Sequence, residues 1–159
     1  MISKIKYRRF KKSDTKEVAK LISETFLEFN SKDGRKEGSK NYFKLYSSKI
    51  KSENELYSDF LKSPIFFIAK LENKIVGMIR GNKNKVTNLY VFGKYHSKEI
   101  GKKLLLEFEK EAKKKETKFI KIRSSLYAVP FYQSQGYKKT TGIRNFHGLK
   151  IWPLIKTFD

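Results

Sequence analysis

The chain has 159 residues with 38% hydrophobic and 14% aromatic content, which is enough to bury the core of one domain spanning residues 1–159. The absence of cysteine excludes disulfides, thiolate nucleophiles and cysteine-ligated zinc, and two histidines are too few for a convincing metal site. The formal net charge is +21 and no apolar run is long enough to cross a bilayer, so we expect a cytoplasmic protein without membrane contact and with a lysine-rich solvated surface.

The first elements in chain order are a strand and an amphipathic helix. We expect the strand at Ile5–Phe10, and Asp14 with Glu17 three positions later has the spacing of a capping box that opens the helix. Apolar side chains then recur at three- and four-residue steps, which places them on one buried stripe: Val18, Leu21, Ile22, Thr25, Phe26 and Phe29.

The next stretch is the least informative part of the chain. Residues 30–40 contain two glycines and predict a loop. Short helices are expected at Asn41–Ser48 and after Ser52, where Glu55 again gives the spacing of a capping box.

Strands dominate the middle of the chain. Residues 65–71 and 75–80 flank a short connection, which predicts a β-hairpin. A third strand is expected at 85–92, and residues 93–115 keep helical apolar spacing over about four turns. This second amphipathic helix follows the third strand directly.

The last part alternates once more between strand and helix. We expect a strand at 119–125, a short helix at 128–135 that stops at Gly136, and two strands around a tight turn over 137–158. The resulting order β-α-α-β-β-β-α-β-α-β-β indicates an α/β fold, layered as in α+β proteins, with a mixed sheet.

A candidate anion site lies where the third strand ends and the second amphipathic helix begins. A helix start offers unpaired amide groups and a positive dipole end, and Gly101 allows close backbone approach. Lysines surround this junction: Lys94, Lys98, Lys102 and Lys103. The residues alone leave two interpretations open, a phosphate-binding loop and an ordinary helix N-terminus with solvated lysines.

Two segments on either side of this helix carry further information: VTNLYVFGKYHSKEIGKKLL at 86–105 and SSLYAVPFYQSQGYKK at 124–139. Together they resemble the core of the GNAT superfamily of acetyl-CoA-dependent N-acyltransferases. The resemblance implies a GNAT-like, mostly antiparallel sheet of about seven strands with helices on both faces. It also implies acetyl-CoA as the cosubstrate.

The first segment is similar to the family's loop pattern Gln/Arg-x-x-Gly-x-Gly/Ala, whose backbone amides hold the cofactor pyrophosphate. The matching positions are His96, Ser97, Lys98, Glu99, Ile100 and Gly101. His96 stands where the pattern has Gln or Arg, and Glu99 replaces the first glycine, which brings a carboxylate to the expected pyrophosphate site. Lys102, which follows this loop, is included in the predicted cofactor-binding group for its positive charge at the helix start.

The second segment matches the family's Ala-x-x-Phe-Tyr element followed by Gly-Phe/Tyr. The matching residues are Ala128, Phe131, Tyr132, Gly136 and Tyr137. By this resemblance Tyr132 is the general acid that protonates the departing coenzyme A thiolate, and Ala128 and Phe131 belong to the cofactor site. From the residues alone, Tyr132 could instead be an amphipathic surface residue beside a core that contains Phe131 and Tyr137.

The resemblance also implies where the pantetheine arm lies. Family members splay two adjacent strands and bind the arm along the backbone of the first, which corresponds here to Leu89, Tyr90 and Val91. Ser125 stands where the family often has Asn and could contact the arm. The Val91 amide N–H could polarise the thioester carbonyl.

A general base is harder to predict. Glu28, one turn after another glutamate on the first helix, is the candidate, and a solvated surface carboxylate is the alternative. His147 is expected in an exposed turn. Three aromatic residues could line an acceptor pocket or belong to the core: Tyr90, Tyr127 and Trp152.

These observations predict an N-acetyltransferase that passes an acetyl group from acetyl-CoA to a primary amine within a ternary complex. Since the protein is already strongly positive, long-range electrostatics favour a neutral or acidic acceptor. The alternative is a non-catalytic module of the same fold that binds coenzyme A, or that binds RNA through its lysines. A monomer and a homodimer joined through the last strand pair are both compatible with the sequence.

Overall fold

The computed structural model describes residues 4–29, 40, 44, 46, 47 and 51–159, and its strands form one sheet. The strands are β1 (Ile5–Arg9), β2 (Ile65–Leu71), β3 (Lys74–Asn82), β4 (Lys85–Val91), β5 (Phe119–Ser125), β6 (Lys138–Lys139), β7 (Arg144–Phe146) and β8 (Leu149–Thr157). The helices with fully described bounds are α1 (Thr15–Phe29), α2 (Glu53–Phe60), α3 (Ile100–Lys114) and α4 (Val129–Ser134).

The sheet is mixed and mostly antiparallel, as expected. Its strand order is β1-β2-β3-β4-β5-β8-β6, and β7 also pairs with β8. Every described pairing is antiparallel except that of β4 with β5. The predicted final strand pair is therefore present, but its first member is split into β6 and β7.

The sheet buries apolar side chains on both faces because successive residues of a strand point to opposite sides. In β2, Phe67 and Ala69 pack with apolar side chains of α3, whereas Phe66 and Ile68 pack with those of α1 and α2. The predicted apolar stripe of α1 is buried, apart from its last residue, Phe29, which is half-buried.

The parallel pairing is short, and this positions the site. Only two residue pairs join β4 to β5, Lys85 with Lys121 and Val86 with Ile122. Beyond these residues β4 stays paired with β3 up to Val91, while β5 stays paired with β8 up to Ser125. A wedge therefore opens between the C-terminal halves of β4 and β5.

The start of α1 differs from the predicted capping box. The Asp14 carboxylate accepts hydrogen bonds from the Arg8 guanidinium at 2.8 and 2.9 Å and from the Lys11 amide at 2.9 Å. Glu17 accepts one from the Ile75 amide at 2.6 Å. The prediction was wrong because Asp14 bonds to residues that precede it and Glu17 bonds to a distant strand, so the two carboxylates tie α1 to β1 and β3.

The predicted helix at 93–115 is broken near its start. A 3-10 helix spans Gly93–Lys98, Glu99 takes a left-handed conformation with φ of 59°, and α3 begins at Ile100. A left-handed residue with a side chain costs about 1 kcal/mol, which is why glycine is favoured at such a position. The break separates a strand-side loop from a helix whose first turn faces the wedge.

The remaining elements agree with the sequence prediction. Ser52 caps α2 and accepts a hydrogen bond from the Glu55 amide at 3.2 Å. Gly136, with φ of 93°, follows the end of α4. The predicted loop at 30–40 and helix at 41–48 lie outside the described residues except at 40, 44, 46 and 47. Within the described part of the chain, no helix is long and apolar enough to cross a membrane.

Candidate active site

The wedge between β4 and β5 holds a cleft of about 580 Å³. Most of the site residues expected from the sequence line it: Leu89, Tyr90, Val91, His96, Glu99, Gly101, Lys102, Ser125, Ala128, Phe131 and Tyr132. Ile100 is instead fully buried in the core, and the side chains of Ser97 and Lys98 lie outside the described part. The fold thus brings together residues from β4, the start of α3, β5 and α4.

The backbone of β4 turns hydrogen-bonding groups toward the cleft. The Phe92 amide donates to the Val76 carbonyl at 3.0 Å, on the β3 side. Hydrogen-bonding groups of successive strand residues alternate in direction, so those of Leu89 and Val91 face away from β3 and into the wedge. An extended ligand with amide groups can therefore pair with β4 as a further strand would.

The His96 ring lies at the mouth of the cleft and contacts β4. Its Nε2 atom is 2.6 Å from the Val91 carbonyl oxygen, and because a carbonyl only accepts, Nε2 donates. The ring packs on Phe29 of α1 with centroids 4.7 Å apart, and Phe29 stacks in turn on Tyr127 at 4.9 Å. Three rings from three segments therefore border the cleft on the side of α1.

The start of α3 supplies positive charge and amide groups. Glu99, Gly101 and Lys102 line the cleft there, and the helix N-terminus carries a partial positive charge. A Cβ added at Gly101 would lie 3.5 Å from the Phe131 ring, an ordinary contact, so this glycine gives extra room without being required. The exposed Glu99 carboxylate is favoured by the helix dipole but opposes an anionic ligand.

Tyr132 lies on α4 with its ring buried in the wall of the cleft. A proline in the first turn of this helix and a glycine after its end fix its limits, as predicted. The ring packs edge-on against Phe131 and Tyr137, with centroids 5.2 and 5.8 Å away. Burial, and then neighbouring Tyr90, raise the pKa of Tyr132, so the phenol stays protonated at neutral pH.

Ser125 and Ala128 shape the turn that leads into α4. The Ser125 hydroxyl oxygen accepts a hydrogen bond from the Ala128 amide at 3.2 Å. The Tyr132 amide donates to the Ala128 carbonyl, also at 3.2 Å. These bonds fix the position of Tyr132 relative to the end of β5.

The wall of the cleft also contains three residues that were not predicted as site residues, and one that was left open: Thr25, Phe29 and Gln135, and Tyr127. Thr25 and Phe29 were predicted only as part of the buried stripe of α1. Helical periodicity indicates which residues are buried, but not which of them border a cavity. The sequence left undecided whether Tyr127 lines an acceptor pocket or belongs to the core, and the structure shows its side chain exposed. The Thr25 hydroxyl is buried and has no hydrogen-bond partner among the described residues.

Other residues considered for catalysis lie outside the cleft. A carboxylate oxygen of Glu28 would be 3.0 Å from a Cβ added at Gly93, in a neighbouring groove of about 560 Å³. This placement gives no support to Glu28 as the base. His147 occupies the turn between β7 and β8, as expected, and the Trp152 indole donates to the Thr141 carbonyl at 2.8 Å. The described residues contain no cluster of three or more metal-binding side chains.

Comparison with known families gives one match. Residues 30–158 match the family model described as an acetyltransferase (GNAT) domain. No curated protein matches the chain.

Solved structures share the fold at low sequence identity. A GCN5-related N-acetyltransferase from Rhodopseudomonas palustris gives a TM-score of 0.80 at 18% identity, with 99% of each chain covered. The PaiA N-acetyltransferase from Thermoplasma acidophilum, solved with coenzyme A, gives 0.75 at 21% identity, covering 98% of this chain and 99% of that one. A GNAT family acetyltransferase from Elizabethkingia anophelis with acetyl-CoA bound gives 0.54 at 24% identity, covering 65% of this chain and 82% of that one.

Proposed function

The chain belongs to the GNAT acetyltransferase family, and from this membership we propose that it transfers an acetyl group from acetyl-CoA to a primary amine by direct attack within a ternary complex. The observation that carries the proposal is the wedge between β4 and β5, with its cleft of about 580 Å³ and Tyr132 in the wall. An extended arm that carries amide groups needs such a slot, because its amides can pair with strand backbone there.

Acetyl-CoA fits the cleft in several respects. The backbone groups of Leu89 and the amide of Val91 face the wedge and can pair with the acetyl-pantetheine arm, whereas the Val91 carbonyl is bound by His96. The N-terminus of α3 and Lys102 offer positive charge to the pyrophosphate, whereas Glu99 opposes it. The Thermoplasma and Elizabethkingia structures hold coenzyme A and acetyl-CoA, which supports the same ligand here.

The reaction joins the acceptor nitrogen to the acetyl carbon and breaks the carbon–sulfur bond. The Val91 amide, which faces the wedge, would polarise the thioester carbonyl. Tyr132 would donate its proton to the sulfur as the thiolate leaves. Because burial raises the pKa of Tyr132, the phenol keeps its proton until negative charge develops on the sulfur beside it.

The side of the cleft next to α1 would receive the acceptor. Phe29 and Tyr127 stack there, and Thr25 lines the same wall with a buried hydroxyl. An aromatic wall with one hydroxyl supports an amine carried on an apolar body. The +21 net charge favours an acceptor that is neutral or acidic overall.

Isothermal titration with acetyl-CoA and with desulfo-coenzyme A tests the proposal. We expect micromolar binding of both ligands by the wild-type protein and loss of binding in Gly101→Trp, whose indole would occupy the cleft beside Phe131. Gly142→Trp is the matched control, because a side chain added at Gly142 meets nothing within 4 Å. Failure of the wild-type protein to bind either ligand would refute the acetyl-CoA proposal and favour RNA binding by the lysine-rich surface.

A further inference from the structure

We propose that His96 is the general base that deprotonates the acceptor amine, a role that rests on the acetyl transfer proposed above. The observation is the 2.6 Å contact between its Nε2 atom and the Val91 carbonyl oxygen inside the wedge. Acetylation of an amine needs a base, because the amine arrives as an ammonium ion at neutral pH. Glu28, the base candidate considered from the sequence beside a solvated surface role, lies outside the cleft, whereas His96 lines it.

The contact with Val91 determines which ring nitrogen is basic. A carbonyl oxygen only accepts hydrogen bonds, so Nε2 carries a proton. In the neutral ring the free lone pair is then on Nδ1. This nitrogen can take a proton from an amine while Nε2 keeps its bond to Val91, which holds the ring in place during the transfer.

The same contact places the ring beside the expected thioester carbonyl. The N–H and C=O of one strand residue point to the same side, so the Val91 amide that would polarise the thioester and the Val91 carbonyl that binds His96 share the wedge. The ring also packs on Phe29, 4.7 Å between centroids, and Phe29 belongs to the acceptor wall. In this assignment the ring contacts both Val91, which would hold the thioester, and Phe29, on the side proposed for the acceptor.

Of the titratable side chains that line the cleft, His96 suits a base best. Tyr132 keeps its proton because burial raises its pKa. Glu99 and Lys102 lie at the start of α3, where the pyrophosphate would bind. The other titratable residues in the wall are Tyr90 and Tyr127, and a neutral phenol already carries its proton, whereas a neutral imidazole has one unprotonated ring nitrogen.

The proton balance closes with this assignment. Nδ1 of His96 removes one proton from the ammonium ion, and the freed lone pair forms the carbon–nitrogen bond. As the carbon–sulfur bond breaks, Tyr132 gives a proton to the sulfur and regains the second proton of the nitrogen. His96, which is exposed at the cleft mouth, then releases its proton to solvent. Each turnover yields one amide, one thiol and one proton.

His96→Gln is the sharpest variant, because glutamine can donate the same hydrogen bond to Val91 but cannot take a proton. Glutamine is also a residue that the GNAT loop pattern has at this position. With acetyl-CoA and a panel of primary amines, we expect turnover at pH 7 to fall by about 100-fold while the dissociation constant for acetyl-CoA stays within about threefold.

The basicity of the acceptor provides a matched substrate control. A weakly basic amine that is already neutral at pH 8 needs no base, so His96→Gln should lose less rate with it than with an alkylamine. With the alkylamine, the rate deficit of the variant should shrink as the pH rises, because more of the amine is then neutral before it binds.

The tautomer of His96 can be measured without an acceptor amine, by long-range proton–nitrogen NMR of protein whose histidines carry nitrogen-15. The His96 signals, identified by their loss in His96→Gln, should show a protonated Nε2 and an unprotonated Nδ1. A protonated Nδ1 in the neutral ring would overturn the proposal, and so would a full rate in His96→Gln. If the wild-type protein fails to bind acetyl-CoA, the acetyl-transfer proposal itself fails, which is a distinguishable result.

Discussion

Two tyrosines on the same short segment have opposite surroundings. Tyr132 lines the cleft, whereas Tyr137 donates a hydrogen bond to the buried carboxylate of Glu109 at 2.8 Å. Glu109 also accepts one from Lys156 at 3.1 Å, so this second tyrosine belongs to a network that joins α3, β8 and the turn after α4. We call the first region the cleft wall and the second the Glu109 anchor.

The difference between the two regions shows what marks a reactive group in this fold. Burial is the main cause that raises the pKa of both Tyr132 and Tyr137, so a raised pKa does not distinguish an acid from an anchor. The partner does. Buried polar groups in proteins ordinarily bond to other protein groups, as Tyr137 does, whereas a group that borders a cavity is available to a ligand.

Tyr132→Phe should give the largest effect. We expect turnover to fall by about 100-fold or more, because the sulfur loses its proton donor, while acetyl-CoA affinity and the melting temperature change little. The raised pKa also predicts that the wild-type rate shows no alkaline decline from Tyr132 below about pH 10. Steady-state kinetics across pH, with titration of acetyl-CoA as the control, measure both effects. Full turnover in Tyr132→Phe would remove Tyr132 from the mechanism.

Glu109→Ala should mainly affect stability. The change leaves the Tyr137 hydroxyl and the Lys156 ammonium without their carboxylate, so we expect the free energy of unfolding to fall by about 2–3 kcal/mol. Glu109→Gln is the matched control, because its amide oxygen can still accept from Tyr137, and it should lose less. Urea denaturation measures the difference. An unchanged midpoint in Glu109→Ala would show that the anchor does not hold the fold.

Tyr137→Phe should have a smaller effect of the same kind. It removes one buried hydrogen bond and keeps the ring, so we expect a loss of about 1 kcal/mol in unfolding free energy. Turnover should stay within about threefold of wild type, because the proposed acid is untouched. Combined with Tyr132→Phe in one set of rate and denaturation measurements, this variant separates the two regions. A large loss of turnover in Tyr137→Phe would show that they act together.

The sequence predicts the fold well where the signal is local. The apolar stripe of α1, the hairpin between β2 and β3 and the helix stop at Gly136 each depend on residues within a few positions of one another. It fails where a distant residue competes for a group. Glu17 bonds to Ile75, 58 positions away, and no spacing rule within the helix could reveal that partner.

The candidate site follows the same division. Motif spacing was enough to select Tyr132, Gly101 and the residues of β4, which all line the cleft. It could not select Phe29, and it left Tyr127 open between an acceptor pocket and the core, because the contact of these two rings joins the end of α1 to the loop after β5. The placement of Glu28 against Gly93 likewise depends on how α1 lies over the 3-10 helix, which helical periodicity does not report.

Thr25→Val should give the smallest effect and the opposite sign. Two residues earlier on α1, the Ser23 hydroxyl lies 2.9 Å from the Ala19 carbonyl, whereas the buried Thr25 hydroxyl has no partner among the described residues. Valine has the same shape, so we expect Thr25→Val to raise the unfolding free energy of the ligand-free protein by about 0.5–1 kcal/mol and Ser23→Ala to lower it by about 1 kcal/mol. If the Thr25 hydroxyl is kept for the acceptor, the same variant should raise the acceptor KM and leave acetyl-CoA affinity unchanged. A loss of stability in Thr25→Val, measured by thermal and urea unfolding, would instead mean that the hydroxyl is bonded within the protein and belongs with the anchor and not with the cleft wall.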